Sequence, residues 1–253
     1  MRLATFNLWN NKDTWSIRKS LIIEEIINLK ADIIALQEVP NQLELISIVK
    51  EAGIPNYSFM EYLDDTEGLA IISKFPLKSV RVHSELFNQC AMRVNVHIDG
   101  LILGITNVHL TWRSAAEREK EILEVVSLIS EDTGTDYELL GGDFNSRPYF
   151  SSIYNYLTGE TSINSCDTSW VDLGQSLNDP TLDFQKNNWL HTKDNLNTIR
   201  NPFRYDWILL KSCYPKKEPK IASHGLFANR GKGLNDIFAS DHFGFFVDLC
   251  FSK

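Results

Sequence analysis

The sequence predicts an α/β or α+β sandwich built from mixed β-sheets, and three observations carry that prediction. Segments with helical periodicity interleave with short apolar runs bounded by turn residues. Helical segments separate some of these runs but not all of them. Asp99-Gly100, between two apolar runs, is the signature of a tight hairpin, so two strands are antiparallel neighbours and a purely parallel sheet is excluded.

Taken in order, Leu3 to Phe6 reads as a first core strand. Residues 16–30 place Ile17, Leu21, Ile22, Ile26 and Leu29 at three- and four-residue spacing, which predicts a helix. A short apolar run at 32–36 is a strand, and 41–51 repeats the helical spacing over a shorter stretch. Strands follow at 69–73, 91–98 and 101–110, the last two joined by the Asp-Gly turn. The clearest helix covers 115–129, because Ser114 and Glu117 form an S-x-x-E capping box and Ile122, Val125 and Ile129 share one face. A strand at 138–142 precedes a weaker helical pattern at 149–157, and 206–210 and 243–250 complete the strands.

Two stretches resist this reading. Residues 159–202 are rich in Asn, Asp, Ser and Thr with little periodicity, longer than connections inside compact domains usually are. They are expected to be a functional loop that shapes substrate access, or a few short elements without visible pattern. Residues 211–220 hold four lysines against Glu218 and two prolines, expected as a solvated hairpin or as a phosphate-backbone contact. Without an internal repeat or a low-complexity linker, residues 1–253 are read as a single domain.

Composition bounds the function. With 43% hydrophobic residues, the 253-residue chain can bury a substantial core, which excludes collagen-like, disordered and disulfide-scaffold classes. Twenty-five basic against 33 acidic residues give a net charge of -8, the opposite of a protein that grips nucleic acid by bulk charge. Any nucleic-acid contact must then be local. No apolar run approaches the roughly 20 residues of a membrane span. Met1 leads directly into Leu3-Ala4-Thr5-Phe6-Asn7 rather than into a leader peptide, so a cytoplasmic location is expected. The protein is also expected to be a monomer. Cys90, Cys166, Cys213 and Cys250 are scattered without a C-x-x-C pair and are read as reduced packing residues.

The chemistry collects at strand ends. Asn7 follows the first strand; Gln37 and Glu38 follow the second; Asn107 and His109 end the 101–110 strand; Asp143 and Asn145 follow 139–142; Asp206 precedes Trp207, and Asp241-His242 precede Phe243. Because strands alternate faces with period two, Asn107 with His109 and Asp143 with Asn145 can each point the same way. Singly, such residues are ordinary turn formers and caps, and His83, His97, His191 and His224 read as surface or satisfied residues. Six sites converging would bury several acids together, which requires a divalent cation or mutual hydrogen bonds.

Thr5-Phe6-Asn7, Leu36-Gln37-Glu38-Val39, Asn107-Val108-His109-Leu110, Gly142-Asp143-Phe144-Asn145, Arg204-Tyr205-Asp206-Trp207 and Ser240-Asp241-His242-Phe243 together resemble the ordered motifs of the endonuclease/exonuclease/phosphatase superfamily. Within it the chain is most similar to the deoxyribonuclease-like and tyrosyl-DNA phosphodiesterase-like branch. The resemblance runs from Asn7 to His242. It implies a four-layered αββα sandwich, two mixed β-sheets face to face with helices outside, and a site at one rim.

It also implies roles. Glu38 is the metal carboxylate for Mg²⁺, with Mn²⁺ as an alternative; Asp241 and Asn7 are further candidate ligands, and Asn7 orients Glu38 and the phosphate. Asp143 positions or deprotonates the attacking water, and Asn145 donates to the phosphoryl oxygens. His242, held by Asp206, contacts the phosphate or serves as base. His109 protonates the leaving group or contacts the transition state. In the abasic-site branch an Asp two residues after the first Asn adds a metal carboxylate; here that position is Trp9, so one metal or two remains open. Arg18, Arg118, Arg147 and Arg204 are candidates for phosphate contacts, and Trp9, Trp112 and Trp189 for base stacking.

The leading expectation is therefore a Mg²⁺-dependent phosphodiesterase or nuclease acting on short or single-stranded nucleic acid. The alternatives are a phosphatase or phospholipase C-like hydrolase of inositol phosphates, sphingomyelin or small phosphomonoesters, and a catalytically silent protein that binds phosphorylated ligands.

Overall fold

The computed structural model describes residues 1–62, 67–82, 87–132, 134–191 and 202–251. The chain alternates strands and helices in the order β1 (Arg2–Asn7), α1 (Trp15–Leu29), β2 (Ile33–Val39), α2 (Gln42–Ala52), β3 (Asn56–Glu61), β4 (Gly68–Ser73), β5 (Leu77–Val82), β6 (Ala91–Ile98) and β7 (Leu101–His109). It continues through α3 (Ala115–Ser130), β8 (Tyr137–Asp143), α4 (Ser152–Thr158), β9 (Trp170–Asp172), β10 (Asp206–Lys211), β11 (Lys220–Phe227) and β12 (Gly244–Cys250). These strands form two six-stranded mixed sheets, ordered β11-β12-β1-β2-β4-β3 and β5-β6-β7-β8-β10-β9.

Period-two alternation divides the apolar residues among three cores. Leu3, Ile33, Leu69 and Ile71 from the first sheet meet Val94, Leu103, Ile105, Leu139 and Ile208 from the second between the sheets. The opposite faces pack outward: Ala4, Phe6, Ile34 and Leu36 against α1 and α2, and Val108, Leu140, Trp207 and Leu209 against α3 and α4. The central strands are thus covered on both faces, which is why β2 and β10 read as nearly continuous apolar runs. The layers are helices, sheet, sheet, helices: the mixed-sheet sandwich that the residue patterns predicted, in the four-layered order that the family resemblance implied.

Local signals set several boundaries. Ser114 Oγ accepts from Glu117 N at 3.3 Å to start α3, and Asn41 Oδ1 accepts from Glu44 N at 2.9 Å to start α2. Asp99 and Gly100, at φ 51° and 85°, turn β6 into β7 with Ile98 opposite Leu101.

The four strands that the periodicity did not predict, β3, β5, β9 and β11, are the four sheet edges. An edge strand has fewer neighbours to pack against, so its sequence can be short or polar; in β11 four of eight residues are exposed. The lysine-rich 211–220 segment is corrected from a hairpin: it crosses between sheets, from β10 to β11. It lies at the far end of β10 from Asp206, away from the rim that Asp206 lines. Of the cysteines, all free, Cys90 is buried and Cys213 packs partly against the core, whereas Cys166 and Cys250 are exposed, correcting the packing role expected for those two. Within 159–202, β9 and a short 3-10 turn at 188–190 are formed, and 192–201 lie outside the described residues, as does His83.

Candidate active site

Strand register brings the six motifs to one rim. In the second sheet, parallel β7 and β8 set His109 opposite Asp143, and antiparallel β8 and β10 set Asp143 opposite Asp206. In the first sheet β1 and β2 end together, Asn7 opposite Gln37. Glu38 is turned into the rim by an extra residue in β2 between its pairings at Leu36 and Val39, with φ 52° at Glu38 itself. Trp9 and Asn145 also hold left-handed backbones, φ 55° and 47°. Such conformations cost on the order of 1–3 kcal/mol each in a non-glycine residue and collect at functional sites.

Asp143, 1% exposed, is the hub. Its Oδ1 accepts from Asn145 N at 2.8 Å and its Oδ2 from Asn7 Nδ2 at 3.1 Å. The same Oδ2 lies 3.8 Å from both His109 Nε2 and His242 Nε2. Asn7 Nδ2 also donates to Glu38 Oε1 at 3.0 Å, Asn10 N donates to Glu38 Oε2 at 3.0 Å, and His109 Nε2 lies 3.9 Å from Glu38 Oε1. His242 Nδ1 sits 2.9 Å from Asp206 Oδ2. Two imidazole nitrogens and an amide therefore gather at Asp143 Oδ2, with the Glu38 carboxylate beside them.

Two amides at the rim are held by specific partners. Asn7 Oδ1 accepts from Trp9 N at 2.9 Å while its Nδ2 faces both acids. The opposite amide orientation would set oxygen against two carboxylates, so the Asn7 Nδ2 group faces Glu38 and Asp143 as a donor. Asn145 Nδ2 donates to Leu110 O at 2.8 Å, which leaves one of its two N–H groups for substrate.

The electrostatics follow from burial. Asp206 is fully buried, which pushes its carboxyl up, opposed by the His242 imidazolium. Burial alone would lower His242, but Asp206 and Asp143 outweigh it and hold the ring protonated well above the ordinary range. Burial raises Asp241 to about 7; Glu38 adds to the rise, while His242 and Arg18 oppose it. Arg18 is lowered by burial to about 10.

Whether these groups fit a divalent cation turns on the donors left open. Glu38 has two hard oxygens, each accepting one hydrogen bond among the described residues with lone pairs to spare, and Asp241 Oδ1 has only a 3.3 Å contact with Ser240 Oγ among them, a hydroxyl whose shorter bond goes to Asn7 O. Arg18 does not neutralise them by direct bonding, because its guanidinium donates to the carbonyls of Leu8, Trp9 and Ala239. Asp143, Asp206 and His242 also bring ligand atoms within 4.8 Å of one another. In that trio His242 Nδ1 and Asp206 Oδ2 already share a proton, so Glu38 with Asp241 is the better match to a hard, oxygen-preferring ion.

Several supports were not legible as such. Asn107, fully buried, does not enter the site; its Nδ2 donates to Leu36 O and Ala70 O across the two sheets, pinning the backbone just before Glu38. Gln37 Nε2 donates to Asn107 Oδ1 at 2.6 Å. Ser240 Oγ donates to Asn7 O at 2.7 Å, and Asn187 Nδ2 donates to Ser240 O and Asp241 O. Tyr62 Oη lies 3.4 Å from His109 Nδ1. Ser240 sat within a quoted motif, whereas nothing in the sequence pattern marked Tyr62 or Asn187.

Among the other candidates, Arg204 is paired with Asp172, Nη1 at 3.2 Å and Nη2 in a second bond, and is closed to phosphate. Trp9 packs on Trp189 with ring centroids 5.5 Å apart and on Arg18, filling the place of the absent Asp. Trp112 is 74% exposed. His97 is exposed, His191 lies 3.1 Å from Phe184 O, and His224 lies 2.8 Å from Ser176 Oγ.

Residues 4–242 match the model of the endonuclease/exonuclease/phosphatase family. Carbon catabolite repressor protein 4 homolog 3 of Arabidopsis thaliana is 30% identical over 161 residues, covering 56% of this chain and 35% of that protein. Nocturnin of Drosophila melanogaster is 26% identical over 196 residues, covering 67% of this chain and 29% of that protein. The chain thus spans about a third of the length of these curated relatives. A crystal structure of TDP2 from D. rerio, complexed with a single-strand DNA product, superposes with a TM-score of 0.73 at 18% identity, covering 98% of this chain and 97% of that one. That likeness shows the shared fold.

Proposed function

The chain belongs to the endonuclease/exonuclease/phosphatase family, whose members are phosphoester hydrolases, and from that premise we propose that it is a Mg²⁺-dependent phosphodiesterase acting on nucleic acid. The observation that carries this reading is Asp143 Oδ2 lying 3.8 Å from each of two imidazole nitrogens, with Asn145 alongside. A water beside Asp143 can be oriented and deprotonated by that carboxylate. The imidazolium of His242, held by Asp206, donates to a phosphoryl oxygen as charge builds. The free N–H of Asn145 donates to a second oxygen. His109, braced by Tyr62, protonates the departing oxygen. Glu38 and Asp241 would hold the cation, which when bound draws charge from a non-bridging phosphate oxygen.

The single-strand product bound by the TDP2 structure supports a strand-shaped substrate, as does the net charge of -8, which disfavours a long grip on duplex. The test is a parallel assay on single-stranded DNA, RNA, 5′-tyrosyl-DNA, sphingomyelin and inositol phosphates, with and without Mg²⁺. Metal-dependent turnover of a nucleic-acid diester supports the proposal. Turnover confined to lipid or inositol phosphates overturns it.

A further inference from the structure

Beside the catalytic cluster, and sharing Asn145 with it, lies a cavity of about 300 Å³ lined by Arg118, Ser146, Arg147, Phe150 and Tyr205 among others. Four of the molecule's features meet there without being used by the mechanism above. Arg118 is fixed by one bond, Nη1 to Thr111 O at 2.9 Å, and its remaining N–H groups have no carboxylate partner among the described residues. Arg147 is held between rings, 5.4 Å from the Phe150 centroid and 5.0 Å from that of Phe203, again without a carboxylate. Ser146 is 4% exposed and its Oγ has no hydrogen-bond partner among the described residues. Phe150, 80% exposed, presents a ring to solvent.

A buried hydroxyl without a partner is unfavourable, and two arginines without acids are unusual in a chain carrying a net charge of -8. One kind of ligand resolves both: an anion with several acceptor oxygens, which phosphate supplies. The cavity's wall ends at Asn145, whose N–H donates to Asp143, so an anion here is a near neighbour of the phosphate being cleaved. Polynucleotide strands carry such a second phosphate, and the Phe150 face adds a surface on which a base can stack.

Resting on the reading under Proposed function, we propose that Arg118, Ser146 and Arg147 form a subsite for the adjacent phosphate of a single strand, so that the enzyme selects oligonucleotides over isolated phosphodiesters. Phosphate and sugar contacts of this kind fix register without reading sequence, so the subsite confers strand recognition rather than base specificity.

The experiment compares two substrates in one preparation of each protein: bis(4-nitrophenyl) phosphate, which has no neighbouring phosphate, and a single-stranded thymidine trinucleotide. Arg118→Ala and Arg147→Ala should each lower kcat/KM for the trinucleotide about ten- to a hundredfold more than for the small diester, the loss of one charge-assisted contact. The slope of log(kcat/KM) for the trinucleotide against log salt should flatten by roughly 0.7 per arginine removed. Misfolding lowers both rates together, so the ratio reports the contact itself. Equal losses on both substrates, or no loss on either, overturn the subsite. If the wild-type protein hydrolyses neither substrate, the phosphodiesterase reading fails. Anisotropy of a labelled trinucleotide then reads the subsite separately: binding weakened by either substitution supports it, and binding that is absent or unchanged overturns it.

Discussion

Replacing Asp206 by Asn removes one charge from the rim while keeping the side chain's volume, and the structure sets the size of the effect. Asp206 is fully buried, and its Oδ2 lies 2.9 Å from His242 Nδ1. A neutral amide no longer stabilises an imidazolium there, and it can present either its oxygen or its NH₂ to the ring. A charge-assisted hydrogen bond contributes about 1.5–3 kcal/mol, which is about one to two decades in rate. Misdirecting the tautomer adds to this, up to the roughly 10⁴-fold seen for the same change in serine hydrolase triads. The expected outcome is a fall in kcat/KM on the order of 10²-fold or more, carried by kcat, because the imidazolium is needed mainly as charge develops. The assay is nitrophenol release from bis(4-nitrophenyl) phosphate at saturating Mg²⁺, with thermal melting to establish that the variant is folded. A folded Asp206→Asn protein whose kcat/KM stays within about threefold of wild type would refute the role given to the pair.

Other outcomes follow from separate parts of the molecule. EDTA should abolish turnover, and Glu38→Gln or Asp241→Asn should raise the Mg²⁺ concentration needed for half-maximal activity by about tenfold or more; unchanged metal titrations in both variants would remove these residues from the metal site. Gly142→Ala should cost at least about 3 kcal/mol, lowering the melting temperature by roughly 6 °C or more. The reason is that a Cβ there would meet Val108 O at 1.9 Å on a backbone of φ 148°; calorimetry showing an unshifted transition would contradict that. Arg2 holds the Asp248 carboxyl below the ordinary carboxylate range, chiefly through their hydrogen bond. A depressed folded pKa contributes stability above the unfolded value and loses it as pH falls through the folded one. Asp248→Asn should therefore lower the melting temperature at pH 7 by no more than a few degrees, since the pair is about a quarter exposed, and the difference should shrink and vanish as pH falls below the ordinary carboxylate range.

Much of the architecture was legible because it is repetitive. The predicted helix at 16–30 appears as Trp15–Leu29, and that at 115–129 as Ala115–Ser130, since the apolar spacing and the Ser114 cap act locally. The weaker pattern at 149–157 appears as the shorter Ser152–Thr158, capped by Ser151. Edge strands escaped because nothing forces them to be apolar, as the exposed half of Lys220–Phe227 shows. In the site, the residues picked out at the strand ends do gather at one rim, but their hydrogen-bond partners did not follow from their types. Arg18 and Arg204 read like Arg118 and Arg147 in sequence; among the described residues Arg18 is tied to three backbone carbonyls and Arg204 to Asp172, whereas Arg118 makes one bond to a carbonyl and Arg147 lies between two rings. Asn107 and Asn145 are likewise both strand-end amides, yet one ties the sheets together and the other faces the cavity.

By itself the sequence determined the layered class, the family motifs and the chemistry available at the rim, because periodicity and residue type are properties of short segments. The tertiary structure decided which acid each donor serves. Asn7 reaches Asp143 across 136 positions of chain, and His242 reaches Asp206 across 36, so those partnerships exist only once two sheets have packed and a strand register has been chosen. It also decided that Ser146 is buried beside two arginines, its hydroxyl without a partner and they without a carboxylate among the described residues, a condition set by what surrounds a side chain in space rather than by what flanks it along the chain.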